Sequence, residues 1–236
     1  MKNFIKALLI ITVIVTVSCQ KKSGDELTIP FEKYQLENGL SVILHEDKSD
    51  PIVSVAIYYH VGSNREVPGR TGFAHLFEHM MFQQSENVPE DQFFRLIQSA
   101  GGTLNGSTNQ DRTNYYETVP KNALEMVLWM ESDRMGYLAN TITKQAFAIQ
   151  QNVVQNEKRQ NYDNRPYGHS STVMARAMFP EGHPYNWTTI GEIEDLFNAT
   201  VDDVKEFHGR FYIPNNATLA ITGDYDREQV KELVQK

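Results

Sequence analysis

The sequence predicts an α+β fold, a largely antiparallel sheet flanked by helices. Three observations predict it. Asn38-Gly39 separates two short extended stretches, 34–36 and 40–45, in the pattern of a hairpin. Residues 52–61 form a β-branched and aromatic run closed by Gly62-Ser63, a mostly buried strand. Helical spacing then returns several times, without the regular strand–helix beat of a doubly wound sheet. With 236 residues, 40% of them hydrophobic, the chain can bury a core without disulfides.

The first nineteen residues read as a targeting segment. Lys2 and Lys6 give a basic start, and residues 7–17 are an apolar run too short to span a bilayer. Cys19, the single cysteine of the chain, stands where a bacterial lipoprotein signal places its lipidated residue. Residues 20–29 are a polar tether, and 30–236 are the folded body. This predicts an exported protein of the bacterial cell envelope, joined to a membrane through a lipid anchor. Removing Lys2 and Lys6 from 22 bases and 30 acids leaves a net charge of −10. That balance argues against nucleic acid as a partner, because phosphate binding needs a basic footprint.

Within the body, Thr71 is expected to cap a helix over 72–84, and Pro89-Glu90-Asp91 to open another that stops at Gly101-Gly102. A third strand is predicted over 113–119. Further helices are predicted over 122–137, 143–160 and 171–178. A fourth strand spans 217–222, before a last helix over 227–235.

The chemistry concentrates in the 72–84 helix. Phe73, Ala74, Leu76, Phe77, Met80, Met81 and Phe82 make it apolar nearly all round, so its polar residues need partners. His75 and His79 at i and i+4 share a face, and Glu78 points to the same side. Two imidazoles converging on one point suit a zinc ion. With seven histidines in the chain, chance alone gives on the order of 0.02 such His-x-x-Glu-His matches. A third ligand is expected on another buried helical face. In the 143–160 helix, Phe147, Ile149, Val153 and Val154 mark an inward stripe, and Glu157 lies one turn beyond the valines. From spacing alone, Glu157 is as readily a solvent-facing residue.

His75 to His79, with Glu157 after 77 intervening residues, resembles the pitrilysin or insulinase family of zinc metallopeptidases, whose motif inverts the commoner His-Glu-x-x-His order. The likeness extends to Leu36-Glu-Asn-Gly-Leu40, Gly101-Gly-Thr-Leu-Asn105, Thr113-Asn-Tyr-Tyr116, His183-Pro-Tyr185, Thr189-Ile-Gly191 and Tyr212-Ile-Pro-Asn-Asn-Ala217. It implies a fold similar to that of the mitochondrial-processing-peptidase-like metallohydrolases. It also implies one Zn2+ per chain held by His75, His79 and Glu157, with Glu78 as general base and a peptide substrate lying beside Asn105. Where the family often has a second Glu, this chain has Gln150, which can hydrogen-bond near the metal but carries no charge. His183 and Tyr185 are assigned to the fold and not to the site.

Family members pair two similar halves around the substrate. A chain stopping at Lys236 inside a helix is therefore expected to be truncated, or completed by a second homologous half or subunit. The resemblance implies a zinc endopeptidase, residues 30–236 being its catalytic domain. The competing reading is a zinc-binding but non-catalytic envelope subunit that needs or assists a separate partner.

Overall fold

A computed structural model of the protein describes residues 28–236, of which Phe31–Lys236 form one folded unit. The signal segment, Cys19 and most of the tether lie outside the described residues. Among the described residues, no helix is long and apolar enough to cross a membrane.

The unit is built on a six-stranded sheet in the order β1-β2-β6-β3-β5-β4. β1 (Glu32–Gln35) and β2 (Ser41–Glu46) are the hairpin expected around Asn38-Gly39, and Gly39 supplies the positive φ of the turn at 91°. β3 (Ile52–Tyr59) lies between β5 (Thr113–Pro120) and β6 (Ala217–Gly223), antiparallel to both. β2 and β6 run parallel, the single parallel pair of this sheet. Val53, Val55, Ile57, Leu44, Leu219 and Ile221 alternate with outward residues and form the buried face.

Helices α1 (Phe73–Met80), α2 (Gln92–Ser99), α3 (Leu124–Thr141), α4 (Lys144–Lys158), α5 (Ser170–Met178), α6 (Ile193–Asn198), α7 (Val201–Phe211) and α8 (Arg227–Gln235) complete the unit. α4 starts at the Thr143 side-chain cap and runs into a π-helical turn, Arg159–Asp163.

Three expectations need correction. Thr71 does not cap α1; the N-cap is Gly72 at φ 87°, and the Thr71 hydroxyl is bonded to Asp195 instead. The stripe expected on α4 is rotated, for Phe147, Gln150 and Val154 are buried while Ile149 and Val153 are more than 40% exposed. Finally, β4 (Thr103–Thr108), α6 and α7 were not foreseen. β4 is an edge strand of Thr, Asn, Gly and Ser, with no apolar alternation to mark it. Gly106 lies against the Phe82 ring, where a Cβ would approach to 3.0 Å. α7 does carry a signal, a capping box between Thr200 and Asp203.

Beneath the sheet, Arg134 of α3 is wholly buried. Its Nε donates to Glu131 Oε2 at 2.9 Å and its Nη2 to Glu117 Oε1 at 3.2 Å, while the guanidinium lies 4.2 Å from the Tyr115 ring centroid. Burial, reinforced by the Glu131 charge, raises the Glu117 carboxyl well above the usual carboxylate range. The Arg134 guanidinium thus lies between two buried acidic side chains, Glu131 and Glu117. Substituting Arg134→Met would leave two buried acidic side chains without their cation, at a cost of about 3–5 kcal/mol. Chemical denaturation measures it; a loss below about 1 kcal/mol would show that the core does not depend on this pair.

Candidate metal centre

The start of α1 is fixed by contacts from four directions. Glu66, buried, accepts hydrogen bonds from the Gly72 and Ala74 amides at 2.9 and 2.8 Å, satisfying two donors that the helix itself leaves open. Burial raises its carboxyl to about 8 against the pull of those two amides. The Thr71 amide and hydroxyl donate to Asp195 at 2.9 and 2.6 Å, and the same hydroxyl accepts from the Glu192 amide. Gly191, at φ 71°, packs so closely that a Cβ would lie 2.3 Å from the Gly72 nitrogen. Lys158, at the end of α4, donates to the Gly191 carbonyl. The Thr189-Ile-Gly191 motif thus joins the beginning of α1 to the end of α4.

That frame brings three ligand-capable side chains together. Five of the eight residues of α1 are buried, and the remaining His75, Glu78 and His79 are partly exposed. The two imidazoles lie 4.8 Å apart, nearly perpendicular. Glu157 Oε2, reaching across from α4, is 3.7 Å from His75 Nε2 and 3.3 Å from His79 Nε2. One ligand atom from each residue falls within 4.8 Å of the others. Bonds of about 2.0–2.1 Å to a tetrahedral cation put its ligands about 3.3 Å apart, so the donor set fits a zinc-sized ion.

Electrostatics favour the same occupant. Burial and the neighbouring His79 hold His75 down to about 4, so its imidazole is neutral with a lone pair to give. Contact with His79 holds the Glu157 carboxyl below its ordinary range, keeping it ionised. Asn161, in the π-helical turn, lines the cleft with Glu157 and lowers that carboxyl further. Glu78 differs: burial raises its carboxyl, while Thr108 Oγ1 donates to its Oε2 at 2.6 Å and opposes the shift. It remains outside the group of three.

An open cleft of about 620 Å³ adjoins the group, lined in part by His75, Thr108, Glu157, Tyr162, Arg165 and Tyr167. Asn105 lies on β4, three residues from Thr108, exposed and bonded through its side chain to the Gly106 amide. Gln150 is buried two turns before Glu157, about 10 Å along the helix axis. Among the described residues His75 Nδ1 has no hydrogen-bond partner, so Gln150 does not brace that ring. Tyr185 donates to Asp111 at 2.6 Å and His183 stacks on Phe179, packing roles outside the site. Sequence reasoning missed Glu66, Thr108 and Asn161. Asn161 alone had a signal, its i+4 spacing from Glu157.

Residues 41–183 match the insulinase family, peptidase family M16, and residues 198–236 match the peptidase M16 inactive domain. The zinc protease PqqE of Helicobacter pylori is 31% identical over the whole of this chain and 53% of its own length. The insulin-degrading enzyme homolog of Dictyostelium discoideum is 29% identical over 86% of this chain and 21% of its own length. Among solved structures, a protease from Helicobacter pylori superposes with a TM-score of 0.83 at 32% identity, covering 89% of this chain and 50% of that one. Pitrilysin, at 24% identity, shares the fold with a TM-score of 0.77, over 89% of this chain and 23% of its own. The chain spans about half or less of the length of these relatives. A match over residues 41–183, on a unit of this architecture, places the chain in the insulinase family of peptidases, family M16.

Proposed function

We propose that this chain is the metal-holding half of a zinc endopeptidase that hydrolyses peptides or unfolded polypeptide segments. The observation that carries the reading is the convergence of His75 Nε2, His79 Nε2 and Glu157 Oε2, with the Glu78 carboxylate beside them but outside the ligand group. The zinc-protease names of its relatives support the same metal.

His75, His79 and Glu157 hold the cation, and Asn161, beside Glu157 in the cleft, orients its carboxylate. Bound zinc supplies a Lewis acid for the scissile carbonyl and a water acidified towards a pKa of about 7. Glu78 takes a proton from the attacking water and returns it to the leaving amine, a task suited to a carboxyl raised by burial. Asn105 contacts the peptide along β4, and Gln150 leaves the surroundings of the site less anionic than a second Glu would. Residues 1–19 direct export, Cys19 carries the lipid, and 20–29 tether the catalytic domain, 30–236, to the bacterial envelope. A second homologous half or subunit completes the substrate chamber, in keeping with the share of its relatives that this chain spans.

The deciding experiment counts zinc in the purified protein and follows cleavage of an unstructured peptide with and without chelator. One equivalent of zinc and chelator-sensitive cleavage are expected. A protein that holds zinc but cleaves nothing, even with its second half supplied, would be the non-catalytic subunit instead. Glu78→Gln is expected to retain zinc and lose about 10²–10⁴ in kcat; parent-rate turnover would remove Glu78 from the mechanism. His75→Ala and Glu157→Gln are expected to lose the metal, as read by metal analysis after dialysis. Asn161→Ala should weaken zinc binding about 10–100-fold in a competition titration, and unchanged affinity would show that Glu157 needs no such brace.

A further inference from the structure

We propose that Thr108 is a positioning residue that fixes the Glu78 carboxylate. The proposal rests on the reading of Glu78 as general base. Among the described residues, Glu78 is hydrogen-bonded only at Oε2, by the Thr108 hydroxyl at 2.6 Å. A hydroxyl has one proton to give, and a second oxygen competes for this one: Thr113 Oγ1, at 3.3 Å. Thr113 spends its own proton on the Val61 carbonyl, an acceptor only, at 2.9 Å, and so presents nothing but lone pairs to Thr108. Between a carboxylate at 2.6 Å and a neutral hydroxyl at 3.3 Å, the shorter, charge-assisted bond takes the proton. Oε1 is then the oxygen left for the water.

The strand pair makes this bond rigid. Thr108 and Thr113 face each other at the end of the β4–β5 ladder. The turn beyond them is closed by the Asn109 side chain, which accepts from the Asp111 and Arg112 amides at 2.8 and 2.9 Å. It is pinned to the body by the Ser63 and Asn64 amides, which donate to the Asn109 and Gln110 carbonyls. Gly62 permits that approach, for a Cβ there would lie 2.2 Å from the Asn109 carbonyl oxygen. A β-branched threonine in a strand has little rotamer freedom, so the hydroxyl is held where Glu78 needs it. Glu78 arrives from a helix and its anchor from the sheet, fixing the carboxylate between two rigid elements.

The test compares the zinc-loaded full chain with Thr108→Val, which keeps the side-chain shape and suits a strand, and Thr108→Ser, which keeps the hydroxyl. The readouts are kcat and KM on a quenched fluorescent peptide, bound zinc, melting temperature, and the Glu78 rotamer in crystal structures of each protein. Thr108→Val is expected to keep zinc, melting temperature and KM, lose about tenfold to a hundredfold in kcat, and show the Glu78 carboxylate in more than one orientation. Thr108→Ser is expected to restore most of kcat and the single orientation. An unmoved carboxylate in Thr108→Val, or a kcat that Thr108→Ser does not recover, overturns the proposal. If the parent protein cleaves nothing even with its second half supplied, the peptidase reading fails separately, and the crystallographic arm still decides whether Thr108 sets the orientation of Glu78.

Discussion

Everything specific to this molecule depends on the closeness of α1 to the end of α4, because only there do two imidazoles meet a carboxylate from a distant part of the chain. The Nε2 to Oε2 separations of 3.3 and 3.7 Å leave little tolerance. A shift of 1 Å between the helices would spread the donors beyond what bonds of about 2 Å can bridge. The fold answers this by placing a close backbone contact, Gly72 against Gly191, beside the junction. It adds a buried lysine that ties the residue after Glu157 to that same glycine. Glu66 gains its importance in the same way. By accepting from the first amides of α1 it holds the helix end and not the metal, so its effect on the site is exerted through position.

The polar groups around the junction divide into two kinds by their surroundings. His75 and Glu157 are pushed in opposite directions, one to neutrality and the other to ionisation, which is the pair of states a cation binds. Glu78, one residue from His79, is pushed the other way from Glu157 because it is more deeply buried and has one hydroxyl donor in place of an imidazole. Two neighbouring carboxylates are thereby shifted in opposite directions by their surroundings alone, the general pattern by which acid–base roles are separated within one site.

How much of this was legible in the sequence follows from how local each signal is. The α1 triplet is legible because the helix repeat turns a spacing of four into a shared face, and the β1–β2 hairpin because Asn-Gly has few other uses. Glu157 could be suspected, since its helix was visible, but the stripe that should have oriented it misled. Ile149 and Val153 are exposed on the outer side of α4, and Gln150 and Lys158 are buried in their place. Lys158 is buried because it meets a partner far along the chain, the Gly191 carbonyl, and one-dimensional periodicity carries no information about such partners. β4 was invisible for a related reason. An edge strand covered by Phe82 on one side and open on the other needs no apolar alternation, so Thr103–Thr108 reads as loop until β5 is laid beside it. Thr108 and the role argued for it were hidden with the strand.

The sheet order also bears on the division of the chain into two family segments. Residues 198–236, matched by the inactive-domain family, contribute β6, and β6 lies between β2 and β3 in the middle of the sheet. They also contribute α7, whose Phe207 and His208, together with Tyr212 just beyond, pack on Phe77 with ring centroids 6.4, 5.3 and 4.6 Å away. Phe77 lies midway between His75 and His79 on α1. The aromatic cluster from the second segment is therefore the surface on which α1 rests, opposite the face that carries the histidines. Without that segment the sheet would split into β1-β2 and β3-β5-β4, exposing two new edges, and α1 would lose its buried support. The boundary drawn by sequence likeness thus runs through one cooperative unit, and the geometry of the two imidazoles depends on residues well over a hundred positions later in the chain.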